Sequence, residues 1–157
     1  MPRLHPAIRE DSDKAPMVFP IPLLPLQHLL LVSLALFHLV GPVPPELGVH
    51  QGELAACPSP AHCARSDWPV ADPQAALSSL VPVLEAMTRT VVVETRDGYL
   101  HATASSALFG FVDDLELYAD TQAGVLQARS VSRLGESDLG VNGRRLDALR
   151  QALAQQT

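Results

Sequence analysis

Residues 129–145, RSVSRLGESDLGVNGRR, combine four arginines with three serines, one aspartate and one asparagine. Guanidinium groups bind carboxylates and phosphates through paired hydrogen bonds, and the free N–H groups that begin a helix also favour anions. Because a helix is expected to begin within this stretch, the sequence predicts a binding site for a small carboxylate or phosphate. The predicted ligand-binding residues are Arg133, Ser137, Asp138, Asn142 and Arg145.

The same stretch also has a purely structural interpretation. Arg133 would pair with Asp138, and Asn142 would cap the helix that follows. Arg145 would then be a solvated helix residue that contributes little to stability. The sequence leaves both interpretations open.

A second group of residues has the side-chain types of a hydrolase. Ser105 or Ser106 would be the nucleophile, His101 the base and Asp113 the orienting acid. No nucleophile-elbow pattern surrounds these serines, and strand alternation places His101 on the face opposite the expected core, beside Glu94. An enzyme is therefore the less favoured interpretation. An envelope hydrolase that uses Ser105, His101 and Asp113 is the alternative function.

Carboxylates cluster in FVDDLELYAD, where Asp113, Asp114 and Glu116 are candidate metal ligands. Successive side chains of a strand point to opposite faces, so Asp113 and Asp114 do not converge on one ion. Glu116 is expected opposite Arg129 of the next strand, as an ion pair. The sequence therefore predicts neither a metal site nor a cofactor.

The charge of the chain excludes one class of partner. The formal net charge is -6, and Lys14 is the single lysine. Such a chain has no broad basic surface for a phosphate backbone, and its aromatic residues do not alternate with basic ones. We expect no binding to nucleic acid.

The segment Met17–Val40 is almost continuously apolar and is the expected contact with a membrane. At about 1.5 Å per residue it is long enough to span a hydrocarbon core of roughly 30 Å. Three basic residues precede it and the next one is Arg65, so residues 1–16 are predicted to be a cytoplasmic tail. The bulk of the chain then faces the bacterial periplasm or cell envelope. An uncleaved anchor is favoured, with a cleaved signal peptide and a buried soluble helix as alternatives.

Residues 41–72 are rich in proline and are expected to be a linker. They contain both cysteines, Cys57 and Cys63, in the run CPSPAHC. In an oxidising compartment a disulfide is the default expectation. A metal site that includes His62 and free thiols are the alternatives. Lipidation of Cys57 is disfavoured because a long stretch separates it from the apolar segment.

Residues 73–157 are expected to form the globular domain. Asp72 as a cap and Pro73 as the first helical residue predict a helix, which Pro82 kinks or divides. A closing helix follows in NGRRLDALRQAL, with leucines at helical spacing.

Two hairpins are expected between these helices. The dipeptide DG at 97–98 predicts the first, with Val93 opposite Ala102. The second pairs Asp120 with Val125. The valines expected on the core face are Val91 and Val93. The order helix, four strands, helix predicts a two-layer α+β fold with a four-stranded antiparallel sheet and flanking helices, preceded by the membrane segment.

Three stretches carry a resemblance to a known family: LGVHQGELAACPSPAHC, SALFGFVDDLEL and RSVSRLGESDLGVNGRR. Together they resemble the family catalogued as domain of unknown function 1499 (DUF1499), over roughly Leu47 to Leu153. Its members are similar in often carrying an amino-terminal hydrophobic segment, and the resemblance implies no activity. The sequence as a whole predicts a membrane-anchored, envelope-facing domain that binds a partner protein or a small anion without chemistry.

Overall fold

The computed structural model describes residues 40–156. The predicted tail, residues 1–16, and the apolar segment up to residue 39 lie outside the described residues. Within residues 40–156 no helix is long and apolar enough to cross a membrane.

The described chain forms seven strands and two helices. In order they are β1 (Val49–His50), β2 (Glu53–Leu54), β3 (Cys63–Pro69), α1 (Pro73–Ala86), β4 (Thr90–Arg96), β5 (Tyr99–Ser105), β6 (Val112–Asp120), β7 (Val125–Ser132) and α2 (Val141–Ala154). Five strands form one antiparallel sheet in the order β3-β7-β6-β5-β4, and β1 pairs with β2 in a separate hairpin. The α+β class is confirmed.

The sheet has five strands rather than the four predicted. The additional strand, β3, comes from the stretch expected to be a linker and pairs with β7, with Cys63 opposite Val131. Its sequence, CARSDWP, has no clear apolar alternation, since three consecutive polar residues separate Ala64 from Trp68 and only Trp68 is a large apolar residue. Trp68 is buried in the core, so this strand is fixed by one aromatic side chain and by its pairing with β7.

Helix α1 begins as its sequence predicts. Asp72 accepts a hydrogen bond of 3.0 Å from the Ala75 N–H, and a proline occupies the first turn. The expected division into two short helices at Pro82 is wrong, because α1 is one helix with this proline inside it. Leu80 and Leu84 flank the proline and are fully buried. Their packing against the sheet holds the helix together where the proline lacks an N–H donor.

One face of the sheet, here called the helix face, carries the apolar core beneath α1 and α2. Burying each leucine there contributes about 1.5–3 kcal/mol. The fully buried leucines of this core are Leu80, Leu84, Leu100, Leu115, Leu117, Leu126 and Leu149.

The predicted register of the second hairpin is confirmed, since Asp120 lies opposite Val125. The first hairpin departs from the prediction at a β-bulge between Val92 and Glu94. Val92 therefore lies opposite Ala102 and packs against the core. The expected core valines are instead solvent-exposed, because one extra residue moves the preceding side chains to the other face. The exposed fractions are 61% for Val91 and 57% for Val93.

Residues 41–54, here called the strap, cross the other face of the sheet, which we call the strap face. The Gly48 N–H donates to Glu116 Oε1 at 2.7 Å, and the Leu54 N–H donates to Gln127 Oε1 at 2.9 Å. The β1–β2 turn inside the strap has positive φ at Gln51 and Gly52, as a two-residue hairpin turn requires. The strap therefore covers polar side chains that the sheet alone would leave in water.

Candidate functional site

Two adjacent aspartates on β6 point to opposite faces of the sheet, as alternation predicts. Asp113 faces α2 and bonds to Arg145, whereas Asp114 lies on the strap face and bonds to Arg133. The two arginines predicted to bind one anion are therefore separated by the sheet. The predicted site residues form two separate clusters.

The cluster on the helix face joins α2 to β6 and β7. Arg145 Nη2 donates to Asp113 Oδ2 at 2.7 Å, and its Nη1 donates to Ser130 Oγ at 2.8 Å and to Asn142 Oδ1. Asn142 is fully buried and donates from Nδ2 to the His62 carbonyl at 3.0 Å. Arg145 is thus a largely buried structural residue rather than a solvated one, and Asn142 is not a helix cap.

Asp138 takes the capping role at the start of α2. Its carboxylate accepts hydrogen bonds of 2.8 Å from the Gly140 and Asn142 N–H groups. Burial by itself would raise the pKa of Asp138, but the N–H donors of Asn142 and Gly140 outweigh it and lower the pKa. Ser137 Oγ accepts from the Leu139 N–H at 3.3 Å. The helix start is therefore already occupied by a carboxylate of the chain itself.

The predicted pairing of Arg133 with Asp138 is wrong. Arg133 forms a bidentate pair with Asp114, through Nε to Oδ2 and Nη2 to Oδ1, each at 2.8 Å. His101 Nε2 lies 2.8 Å from the same Oδ1. Burial would raise the pKa of Asp114, but the hydrogen bonds from Arg133 and His101 prevail and lower it. The bond to Asp114 in turn raises the pKa of Arg133.

A second buried cluster lies beside it on the strap face. Arg129 Nη1 donates to Glu116 Oε2 at 2.8 Å, and its Nη2 donates to Glu46 Oε1 of the strap at 3.0 Å. The Tyr99 hydroxyl donates to Glu116 Oε1 at 2.8 Å. Burial, reinforced by the negative charge of Glu116, raises the pKa of Tyr99 far above its ordinary value. This cluster ties the strap to the sheet.

An open groove of about 420 Å³ lies between the strap and β4, above the Asp114 cluster. Val43 and Leu47 of the strap, together with Val93 at the β-bulge, form its apolar wall. Two polar atoms of the residues that line it, here called its floor, form no hydrogen bond within residues 40–156: Arg133 Nη1 and His101 Nδ1. The residues that line the groove include Val43, Leu47, Val93, Glu94, Arg96, His101 and Arg133.

Of the five predicted ligand-binding residues, Arg133 alone lines this groove. Val43, Leu47 and Arg96 also line the groove and were not predicted from the sequence. Strand alternation could have identified part of the site, since it puts Tyr99, His101 and Thr103 on one face of β5. No such alternation pointed to the strap, whose residues belong to the proline-rich range 41–72 that was expected to be a linker.

The three residues of the alternative hydrolase are not brought together. Ser105 is exposed at the end of β5, and His101 bonds to Asp114 on the strap face. Asp113 lies on the helix face, bonded to Arg145. No serine or cysteine among the described residues lines the groove beside His101.

The two cysteines form a disulfide between Cys57 and Cys63, with an S–S distance of 2.01 Å. Two carbonyl groups of this loop accept hydrogen bonds from the segment between β7 and α2. The Ala61 carbonyl accepts from the Asp138 N–H, and the His62 carbonyl accepts from the N–H of Ser132, the last residue of β7. In the described part of the chain, no three His, Cys, Asp or Glu side chains are placed to hold a metal ion.

Comparison with known proteins agrees with the family resemblance. A family model described as "Protein of unknown function (DUF1499)" matches residues 49–153, about two thirds of the chain. The match begins at β1 of the strap and ends in α2, so it includes all the strands, whereas Glu46 and the groove residues Val43 and Leu47 precede it. No curated protein matches the chain.

Proposed function

We propose that this chain, which belongs to the DUF1499 family of proteins of unknown function, is a membrane-anchored domain of the bacterial cell envelope. Its groove binds a small anion that carries an apolar part, and it performs no chemistry on this ligand. The observation that supports the proposal is the pairing, in one groove, of unused guanidinium donors with an apolar wall.

The anionic end of the ligand binds at the floor of the groove. Arg133 uses two of its donor nitrogens for Asp114 and keeps Nη1 for a ligand. Arg96 uses Nε for Glu94 at 2.9 Å, which leaves its two terminal nitrogens. Guanidinium donors in this arrangement suit a carboxylate or a phosphate.

The apolar part of the ligand packs against Val43 and Val93. These two valines are 61% and 57% exposed, so a ligand can cover them. Removing apolar surface from water contributes roughly 25 cal/mol per Å². A ligand with a short alkyl chain therefore binds more tightly than its headgroup alone. A small ligand fits this site better than a protein partner because the surface is concave.

Thermal unfolding of the full chain in detergent, with acetate, inorganic phosphate or octanoate, tests this function. We expect octanoate to raise the melting temperature more than acetate does, because a ligand bound only by the folded state stabilises it. Arg96→Gln removes a ligand contact and should reduce this rise. Arg150→Gln removes the same charge from an exposed position on α2 and is the matched control. An equal rise in both variants, or no rise in the wild type, contradicts the proposal.

The anchor of this domain is the apolar segment Met17–Val40, with the following residues outside the cytoplasm. The basic residues before the segment favour this orientation, and a disulfide between Cys57 and Cys63 suits an oxidising compartment. A reporter that is active only outside the cytoplasm, fused after Thr157, should be active. A stably expressed but inactive fusion contradicts the export of the domain.

A further inference from the structure

Two loops at one end of the sheet expose five large apolar side chains. The β5–β6 loop carries three of them, and the β7–α2 loop with the first residue of α2 carries two. We call this surface the apolar tip. Its members and their exposed fractions are Leu108 (81%), Phe109 (58%), Phe111 (37%), Leu139 (84%) and Val141 (40%).

The apolar tip is a continuous surface with a hollow in it. The rings of Phe109 and Phe111 lie 5.6 Å apart, and a cavity of about 440 Å³ separates the two loops. Leu139 has a φ of +54°, a left-handed conformation that strains a leucine. A strained and exposed leucine adds nothing to the core of the domain. Contiguous apolar surface of this kind marks a place of interaction.

The chain enters the domain beside the apolar tip. Gly41 lies so close to the β7–α2 loop that a side chain there would come within 2.8 Å of Arg133 and Leu134. Leu134 also lines the cavity between the tip loops. The apolar segment Met17–Val40 therefore ends next to the tip. A membrane that holds this segment lies against the same end of the sheet.

Two exposed arginines flank the apolar tip. Arg89 Nε donates to the Ser105 carbonyl at 3.1 Å, and Arg144 Nη1 donates to the Leu139 carbonyl at 2.9 Å. Neither forms an ion pair with an acidic side chain in the described part of the chain. Their charges are therefore available to lipid phosphates while the apolar side chains enter the edge of the hydrocarbon.

We propose that the apolar tip docks on the surface of the lipid bilayer that holds the anchor. This docking rests on the membrane anchoring proposed above and adds a second membrane contact. It orients the sheet with the tip toward the lipid and the β6–β7 turn away from it. Strand β6 is nine residues long, so at about 3.3 Å per residue that turn lies roughly 26 Å from the tip.

Tryptophan fluorescence in vesicles with brominated acyl chains tests the docking. The full chain is used with its buried tryptophan replaced, Trp68→Phe, and one new tryptophan added. Phe109→Trp places the probe in the tip, and Gln122→Trp places it in the exposed β6–β7 turn as the control. We expect brominated lipid to remove most of the fluorescence of the tip probe and little of that of the control probe.

Flotation of the same vesicles separates the two proposals. Protein that fails to float contradicts the anchor, and the docking with it. Protein that floats but keeps the fluorescence of its tip probe contradicts the docking alone. In that case, if aqueous acrylamide does not quench the probe, the tip is covered by a second copy of the chain or by the apolar segment itself. In the tip-probe background, Leu108→Asp with Leu139→Asp should restore the fluorescence without lowering the melting temperature.

Discussion

Arg129 and Glu116 face each other across β6 and β7 and form an ion pair that is fully buried on both sides. Ion pairs between neighbouring strands are common on antiparallel sheets, and an exposed pair contributes about 1 kcal/mol or less to stability. Here the strap excludes water from it, and Glu46 supplies a second acceptor for the guanidinium. The pair has therefore become part of the interior that joins the strap to the sheet.

Removing one partner of this pair should destabilise the domain strongly. Glu116→Ala leaves the buried Arg129 with one partly exposed acceptor, and it deprives Tyr99 of its acceptor. We expect the free energy of unfolding to fall by about 3–5 kcal/mol, measured by urea denaturation. Replacing both partners, with Glu116→Leu and Arg129→Met, should cost less than the single change. If the double variant loses more stability than Glu116→Ala does, the cost of the single change does not come from leaving the buried charge of Arg129 without its partner.

Two neighbouring arginines on α2 should behave differently. Arg145→Ala leaves Asp113 without its donor in a largely buried position, and we expect a loss of about 3 kcal/mol. Arg144→Ala changes an exposed side chain and should stay within about 0.5 kcal/mol of the wild type. Urea unfolding of both variants makes the comparison. Equal effects would show that the cluster around Asp113 contributes no more than an exposed arginine does.

Acid should destabilise the domain through Asp114 and Asp138. Both have a pKa below the ordinary value, so the unfolded chain binds protons more readily than the folded one. Their stabilising effect is complete above the unfolded pKa of about 3.9 and is lost as the pH falls through the lower folded pKa. In Asp138→Asn, the free energy of unfolding, measured by urea denaturation, should depend less on pH below about pH 4 than it does in the wild type. The same dependence on pH in both proteins contradicts the capping role.

Alkali should destabilise the domain through Tyr99. Its pKa is raised in the folded state, so its contribution is complete below the ordinary pKa of about 10 and decreases above it. The folded chain should keep this hydroxyl protonated until unfolding exposes it. Ultraviolet titration should show one tyrosine that ionises together with the loss of structure. In Tyr99→Phe this coupled step should be absent, and its persistence would assign the step to Tyr118.

The sequence by itself determined what depends on neighbours along the chain. Asp72 and Pro73 specified the start of α1, and the dipeptide at 97–98 specified a hairpin turn, because caps and tight turns are local geometry. Alternation with a period of two also separated Asp113 from Asp114, which the structure confirms.

Only the tertiary structure determined which charged side chains are buried and which residues they pair with. Arg129 reaches Glu46, 83 residues away, and no local pattern encodes that distance. Arg133 had an acidic residue five positions ahead, yet it pairs with Asp114 because the β6–β7 register brings that carboxylate next to it. The extra residue at Val93 reversed the face of the valines before it. Burial depends on which segment covers a face, and for the strap face that segment was the one the sequence presented as a linker.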